Sequence, residues 1–192
     1  MNKLKLTLLA LLTSQMMFAQ NTMESGYRGF FDGGYTIGVG DFDFGRFEIN
    51  TSHGYQINPV LFIGGGLGMH FMPEYETKGS STIPLDKRES KVDIPVFANV
   101  RVNLINGKFA PFIDGKAGTY LTNGGGLYLN LSAGCLMALN ATQGVTFSVG
   151  YTIEELEFQT FKSFLNSASM NYTRSPRKLK TGGIALKIGY QF

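Results

Sequence analysis

Across 192 residues the chain carries 17 Lys and Arg against 14 Asp and Glu, with 43% hydrophobic residues and no tryptophan. This near balance of charge leaves no basic footprint for nucleic acid, and a single cysteine, Cys135, excludes an intramolecular disulfide and a Cys-based zinc cluster. Mean hydropathy is near zero, yet beyond residue 20 no apolar run approaches the roughly 20 residues of a membrane-spanning helix.

In chain order the first element is a leader. Lys3 and Lys5 precede an apolar run from Leu6 to Leu12, and a small residue, Ala19, stands at the expected cleavage point. That is the pattern of a secretory signal peptide over residues 1–20, with one domain expected over 21–192. Without Lys3 and Lys5 the exported part holds 15 Lys and Arg against 14 Asp and Glu. Cys135 lies far from the junction, so lipid anchoring through a cysteine there is not expected.

Eight strands follow, at 27–40, 45–57, 60–72, 91–105, 109–122, 126–140, 145–158 and 181–192. Each is long enough for the about 9–11 tilted residues that cross an outer-membrane bilayer. The connections at Asn58-Pro59, Asn106-Lys108 and Ala141-Gly144 are short and built from turn formers. Those between them lie at 40–44, 73–90, 123–125 and 159–180, and two are long and polar. Glu154-Glu155 interrupts the alternation of the seventh strand, which predicts a bulge or the point where it leaves the bilayer.

The segment 91–105 shows the chemistry most clearly. Val92, Ile94, Val96, Ala98, Val100, Val102 and Leu104 share one parity, while Lys91, Asp93, Asn99, Arg101 and Asn103 share the other. Alternate side chains of a strand point to opposite faces, so one face is wholly apolar and the other carries charge. Parity alone does not say which face is inside. Volume does: eight strands enclose room for little more than their own side chains. The apolar face is dense with Leu, Val, Ile and Phe, whereas the polar face includes Gly64, Gly66, Gly68, Gly134, Gly150, Gly183 and Gly189. The expected fold is an all-β, eight-stranded, antiparallel up-and-down transmembrane β-barrel with the apolar face on lipid. An even strand number puts both termini in the periplasm, in the outer membrane of a Gram-negative bacterium.

The inward parity collects Asp32, Glu48, Asp93, Asp114 and Glu154 with Arg46, Lys91, Arg101, Lys116 and Lys187. Unpaired, such charges would each bear several kcal/mol of desolvation, so a cross-strand ion-pair network filling the lumen is expected. The functional alternative is a charge-lined channel. Of the two histidines, His53 has outward parity near the Asn58-Pro59 turn and His70 faces inward toward the outer rim. No nucleophile, base and acid assemble around either. No catalytic, cofactor or metal site is expected. Tyrosines cluster near strand ends, as an aromatic girdle requires. The runs Gly64-Gly66 and Gly124-Gly126 are followed by no helix, so bends or close packing explain them better than phosphate binding. Within 159–180, Lys162, Arg174, Arg177, Lys178 and Lys180 stand among Phe161, Phe164 and Tyr172. They form either a loop that grips lipopolysaccharide phosphates or a partner protein, or a solvated rim.

The final strand, with Ile184, Leu186, Ile188, Tyr190 and a terminal Phe192 in alternation, resembles the C-terminal signal of the small outer-membrane β-barrel family, of the OmpX and OmpA-transmembrane-domain type and the PorT-like barrels. The resemblance implies recognition of Ile188, Tyr190 and Phe192 by the barrel-assembly machinery. It lacks the periplasmic domain of the OmpA pattern, so attachment to peptidoglycan is not implied. The leading expectation is a monomeric, non-enzymatic barrel acting through its exposed loops in surface contact. The alternatives are a narrow pore for small solutes and a lipid-modifying enzyme using His70.

Overall fold

The computed structural model describes residues 24–40, 43–77, 85–122, 124–166 and 169–192, and for residues 85 and 161–174 the backbone alone. The expected leader at 1–20 lies outside the described residues. The strands are β1 (Gly26–Val39), β2 (Arg46–Gln56), β3 (Leu61–Met72), β4 (Tyr75–Glu76), β5 (Leu85–Arg88), β6 (Lys91–Asp93), β7 (Pro95–Asn103), β8 (Phe109–Tyr120), β9 (Leu127–Ala138), β10 (Gly144–Asn166) and β11 (Ser169–Gln191). β6 and β7 continue one another along β3 in a single register, so they count as one wall strand. The wall then has eight strands, each antiparallel to the next, and β11 closes onto β1 from Phe30↔Gln191 to Val39↔Gly182. The chain is a closed eight-stranded antiparallel β-barrel.

The stagger of the wall follows from its partners. Tyr27 pairs with Tyr55, then in turn come Ile63, Val100, Gly115, Leu131, Tyr151 and Ile184, and the circuit returns to β1 at Ile37. The return point lies ten residues beyond the start. With a rise of about 3.3 Å per residue and strands about 4.8 Å apart, that shear corresponds to a tilt of roughly 40°. Every residue on this circuit points away from the barrel, and Tyr27, Tyr55, Ile63, Val100, Leu131, Tyr151, Ile184 and Ile37 are exposed.

Tight turns close one end. Asn58 caps its own turn by accepting from the backbone amides of Val60 and Leu61, and Asn140 does the same for Thr142 and Gln143. The C-terminus is stitched into the seam at this end: the amides of Gly29 and Phe192 each donate to the other's carbonyl, at 2.8 and 2.9 Å.

At the opposite end the strands exceed the expected boundaries. The ladder of β10 on β9 stops at Glu154↔Tyr128 and that of β11 on β1 at Val39↔Gly182, yet β10 and β11 stay paired up to Asn166↔Ser169. The described residues of segment 159–180, expected as a loop, therefore form the upper part of a β-ribbon rising beyond the wall. β5 adds to β10 at Gln159↔Lys87 through Phe161↔Leu85, and β4 adds to β5. The expected loop at 73–90 thus contains two short strands. No bulge occurs at Glu154-Glu155: they pair in sequence with Thr181 and Lys180, and Glu154 is buried. The break in polarity there marks the end of the wall.

Glycines on the inner face make room for rings. A Cβ on Gly134 would meet Phe112 Cζ at 2.6 Å, and one on Gly66 would meet Phe97 Cε2 at 2.8 Å. At the upper turn Gly124 and Gly125 have φ of 72° and 73°, the left-handed region that favours glycine.

Candidate functional site

The inner face of the wall strands carries the charges that parity assigns to it. Arg46 on β2 reaches Glu48 at 3.3 Å and crosses the barrel to Glu154 on β10 at 2.9 Å. Lys187 on β11 takes the other oxygen of Glu48 at 3.1 Å, and Thr36 donates to the same carboxylate. Tyr120 donates to Glu154 at 2.7 Å, and its oxygen lies 2.9 Å from His70 Nδ1. A second cluster lies beside the first: Arg101 donates to Asp114 at 2.8 Å, Asn99 to the same oxygen at 3.0 Å, and Lys116 spans the lumen to Asp32 at 2.7 Å. All of these side chains are buried. Four carboxylates, those of Asp32, Glu48, Asp114 and Glu154, meet four cations, Arg46, Arg101, Lys116 and Lys187. Neutral pairing of this kind is what lets charges leave water without the full desolvation cost.

Apolar layers enclose these clusters, a feature that alternation does not reveal. Toward the tight turns, Phe30 and Phe62 meet edge to face at 4.9 Å, and Ala110, Phe112 and Leu136 form a small buried cluster. The Arg101 guanidinium lies between Phe30 and Phe112, 4.0 and 4.2 Å from the ring centres, so the lower layer and the ionic cluster interlock. Toward the ribbon, Phe44, Met72, Phe97, Tyr120, Tyr128, Leu156 and Phe158 form the larger cluster, with Tyr75 and Leu179 packed against it. Above it Arg88 pairs with Asp93, lies 5.6 Å over Phe158 and is itself buried.

Asp32, Arg46, Glu48, Asp93, Arg101, Asp114, Lys116, Glu154 and Lys187 are thus all placed inside. Lys91 differs. It is half-exposed at the start of β6, where the wall opens to the rim, and the buried cation beside Asp93 is Arg88. The sequence hides Arg88 because it falls in a polar stretch with no alternating apolar partners.

His70 is wholly buried at the centre, between Glu48 and Glu154. One ligand atom from each of the three lies within 4.8 Å of the others. The same carboxylates already bind Arg46 and Lys187, so an added cation would face two fixed positive charges. The arrangement suits internal pairing. His70 is enclosed between the two aromatic layers.

Below Glu155 and Lys180, the described residues on the outer face of the wall carry no Lys, Arg, Asp or Glu to match these charges. His53, on the outward face as its parity requires, takes Tyr27 Oη at 2.5 Å and Thr51 Oγ1 at 2.8 Å. Ile188, Tyr190 and Phe192 are exposed on the same surface.

On the ribbon, Lys178 and Lys180 face outward opposite Glu157 and Glu155 in register, and Lys178 donates to the Gly124 carbonyl at 3.0 Å. Arg177 is exposed, while the side chains of Lys162 and Arg174 lie outside the described residues. Across the top, Lys87 is held by Glu74 at 3.2 Å and Glu76 at 3.6 Å, and the hydrogen bond it donates to Glu74 raises its pKa above the ordinary lysine value. From Ser169 to Thr181, β11 pairs with β10 on one side and has no ladder partner on the other among the described residues.

No protein-family model matches the chain, and no curated protein matches it.

Proposed function

We propose that the chain is a non-enzymatic outer-membrane barrel whose interior is a filled structural plug and whose ribbon makes contact at the cell surface. The observation that carries this reading is the division of the wall: large apolar side chains stand exposed around its full outer circuit, while the ionised groups are buried and paired inside. Water on both faces would leave that apolar circuit as an exposed patch far larger than soluble monomers carry. Hydrocarbon outside resolves it, and closure of β11 on β1 leaves no unpaired edge within the bilayer. The first described residues and Phe192 lie with the tight turns, on the periplasmic side in this reading, and Ile188, Tyr190 and Phe192 present the assembly signal. The chain acts as a monomer in contact with outer-membrane lipid.

The filled interior argues against the pore. Apolar layers above and below the ion pairs leave a solvated ion no continuous polar path. In planar lipid bilayers the purified barrel is expected to give no steady conductance; a large, stable open level would show that the interior is a channel.

The ribbon supplies the contact surface. Its β11 edge runs 13 residues from Ser169 to Thr181, roughly 40 Å of strand at about 3.3 Å per residue, with no ladder partner on its outer side among the described residues. Arg174, Arg177, Lys178 and Lys180 on that strand favour an acidic partner, either a protein segment or lipopolysaccharide phosphate. A photo-crosslinking residue in place of Pro176 is expected to capture a defined surface component in intact cells, and one in place of Gln191 to capture none of it. Identical products from both positions would remove the ribbon from the function.

A further inference from the structure

One place on the apolar wall breaks its rule. Among the described outward residues of the wall below Glu155 and Lys180, His53 is the one His, Lys, Arg, Asp or Glu. It is exposed, its ring stacks on Tyr27 at 6.1 Å, and Phe192 meets it edge-on at 6.0 Å. Counting protons shows that its cluster is incomplete. A neutral imidazole carries one N–H, and Tyr27 and Thr51 carry one O–H each. If Nε2 holds the proton it donates to Thr51, Tyr27 donates to Nδ1, and the Thr51 hydrogen is left over. If Nδ1 holds it, the Tyr27 hydrogen is left over instead. An imidazolium leaves both. No further hydrogen-bond partner for Tyr27 Oη or Thr51 Oγ1 occurs among the described residues. At the border of hydrocarbon and headgroups a donor without an acceptor is unfavourable, so each protonation state leaves a hydroxyl hydrogen for an acceptor from outside the protein.

The wall beside His53 is shaped to bring one. Its register partner on β3 is Gly65, followed by Ala98 on β7 and Ala117 on β8. All three are exposed and small. The flanking residues on β3 and β7 are taller, with Ile63 and Val100 below and Leu67 and Val96 above, all exposed, while on β8 Gly115 below and Thr119 above leave that end wider. The result is a shallow trough about 14 Å long across three strand spacings, which climbs roughly 9 Å toward the middle of the wall at a tilt of about 40°. Its lower end is the polar cluster. Tyr55 stands one outward position nearer the turns, at the level where an aromatic girdle meets the headgroups.

We propose that Tyr27, Thr51 and His53 bind the phosphate of a single glycerophospholipid of the periplasmic leaflet, one acyl chain of which lies along Gly65, Ala98 and Ala117. This rests on the membrane reading above and adds a defined lipid site to it. Phosphate oxygens accept the left-over hydroxyl hydrogen, and an imidazolium adds charge to the same contact. The small-residue row receives the chain that the taller rows would push aside.

The test is native mass spectrometry of the exported chain, refolded into vesicles of dioleoyl phosphatidylethanolamine and released in mild detergent. The unaltered chain is expected to retain one phospholipid. The double variant Thr51→Val with His53→Phe is expected to retain about tenfold less, the change that about 1.4 kcal/mol produces. Gly65→Leu, which fills the trough, is expected to do the same. A Cβ at Gly65 approaches only the Phe97 carbonyl oxygen, at 3.4 Å, so this variant keeps the wall intact even where the double variant does not fold. Loss of lipid from a variant that remains a heat-modifiable barrel supports the site. Equal retention by both variants, no retention by the unaltered chain, or equal retention of dioleoylglycerol overturns it. Failure of the unaltered chain to enter vesicles at all overturns the membrane reading as well, whereas insertion without lipid retention overturns this site alone.

Discussion

Replacing Arg46 with methionine is expected to destabilise the barrel by about 3–5 kcal/mol, the range for leaving a buried ion without its partner. Arg46 is the cation that reaches Glu154, at 2.9 Å, and it also holds Glu48. Glu48 keeps Lys187 and Thr36 when the guanidinium is lost. Glu154 keeps only neutral Tyr120 and the His70 ring, so most of the penalty falls on one carboxylate. That localisation predicts a rescue. Adding Glu154→Gln removes the stranded charge while leaving an acceptor for the Tyr120 hydroxyl, and recovery of a large part of the lost stability is expected. Urea unfolding in detergent micelles, followed by heat-modifiable migration, measures both steps. If the double variant is no more stable than Arg46→Met, the Arg46–Glu154 pair is not what supports the interior.

The second large effect tests the outside. Leu131 is 64% exposed, about halfway around the outer circuit that begins at Tyr27. In water, replacing an exposed leucine with arginine is close to neutral and aids solubility. On a lipid face near mid-depth the same change costs about 2–4 kcal/mol. The two environments therefore give opposite outcomes for one substitution. Leu131→Arg is expected to depress the yield of folded barrel in bilayers, with Leu131→Ile close to the parent. Normal insertion of the arginine variant would refute lipid contact at that surface.

The two experiments address different links in one argument. Arg46 reports on whether the interior is a paired, water-poor plug, and Leu131 on what lies outside the wall. A barrel with lipid outside and a conducting interior would fail the first and pass the second. A water-soluble barrel would do the reverse.

Alternation carried the identity of the inner and outer faces. Asp32, Arg46, Glu48, Arg101, Asp114, Lys116, Glu154 and Lys187 are inward because a strand turns every second side chain to the same side. The strand count and the tight turns at Asn58 and Asn140 follow equally from local residues, since turn formers and period-two patterns act over a few positions. The ribbon was not legible. Residues 159–180 carry no sustained apolar alternation, so a paired strand there has the composition of a loop. Arg88 was hidden for the same reason: it belongs to a short, polar β5 that becomes buried only when β4 and β5 fold against the ribbon.

Sequence alone therefore determined which residues the barrel encloses and which it shows, because that is set by the pleat of each strand taken singly. Only the closed structure decided which charge meets which. Lys116 finds Asp32 and Arg46 finds Glu154 across the lumen, at distances in the chain that no local pattern links. Those meetings depend on a shear of ten residues around the wall, which fixes the height of each side chain only when β11 pairs with β1. Strand pairing elsewhere in the wall places His53 beside Gly65, Ala98 and Ala117, joining four strands into one surface that no single strand contains.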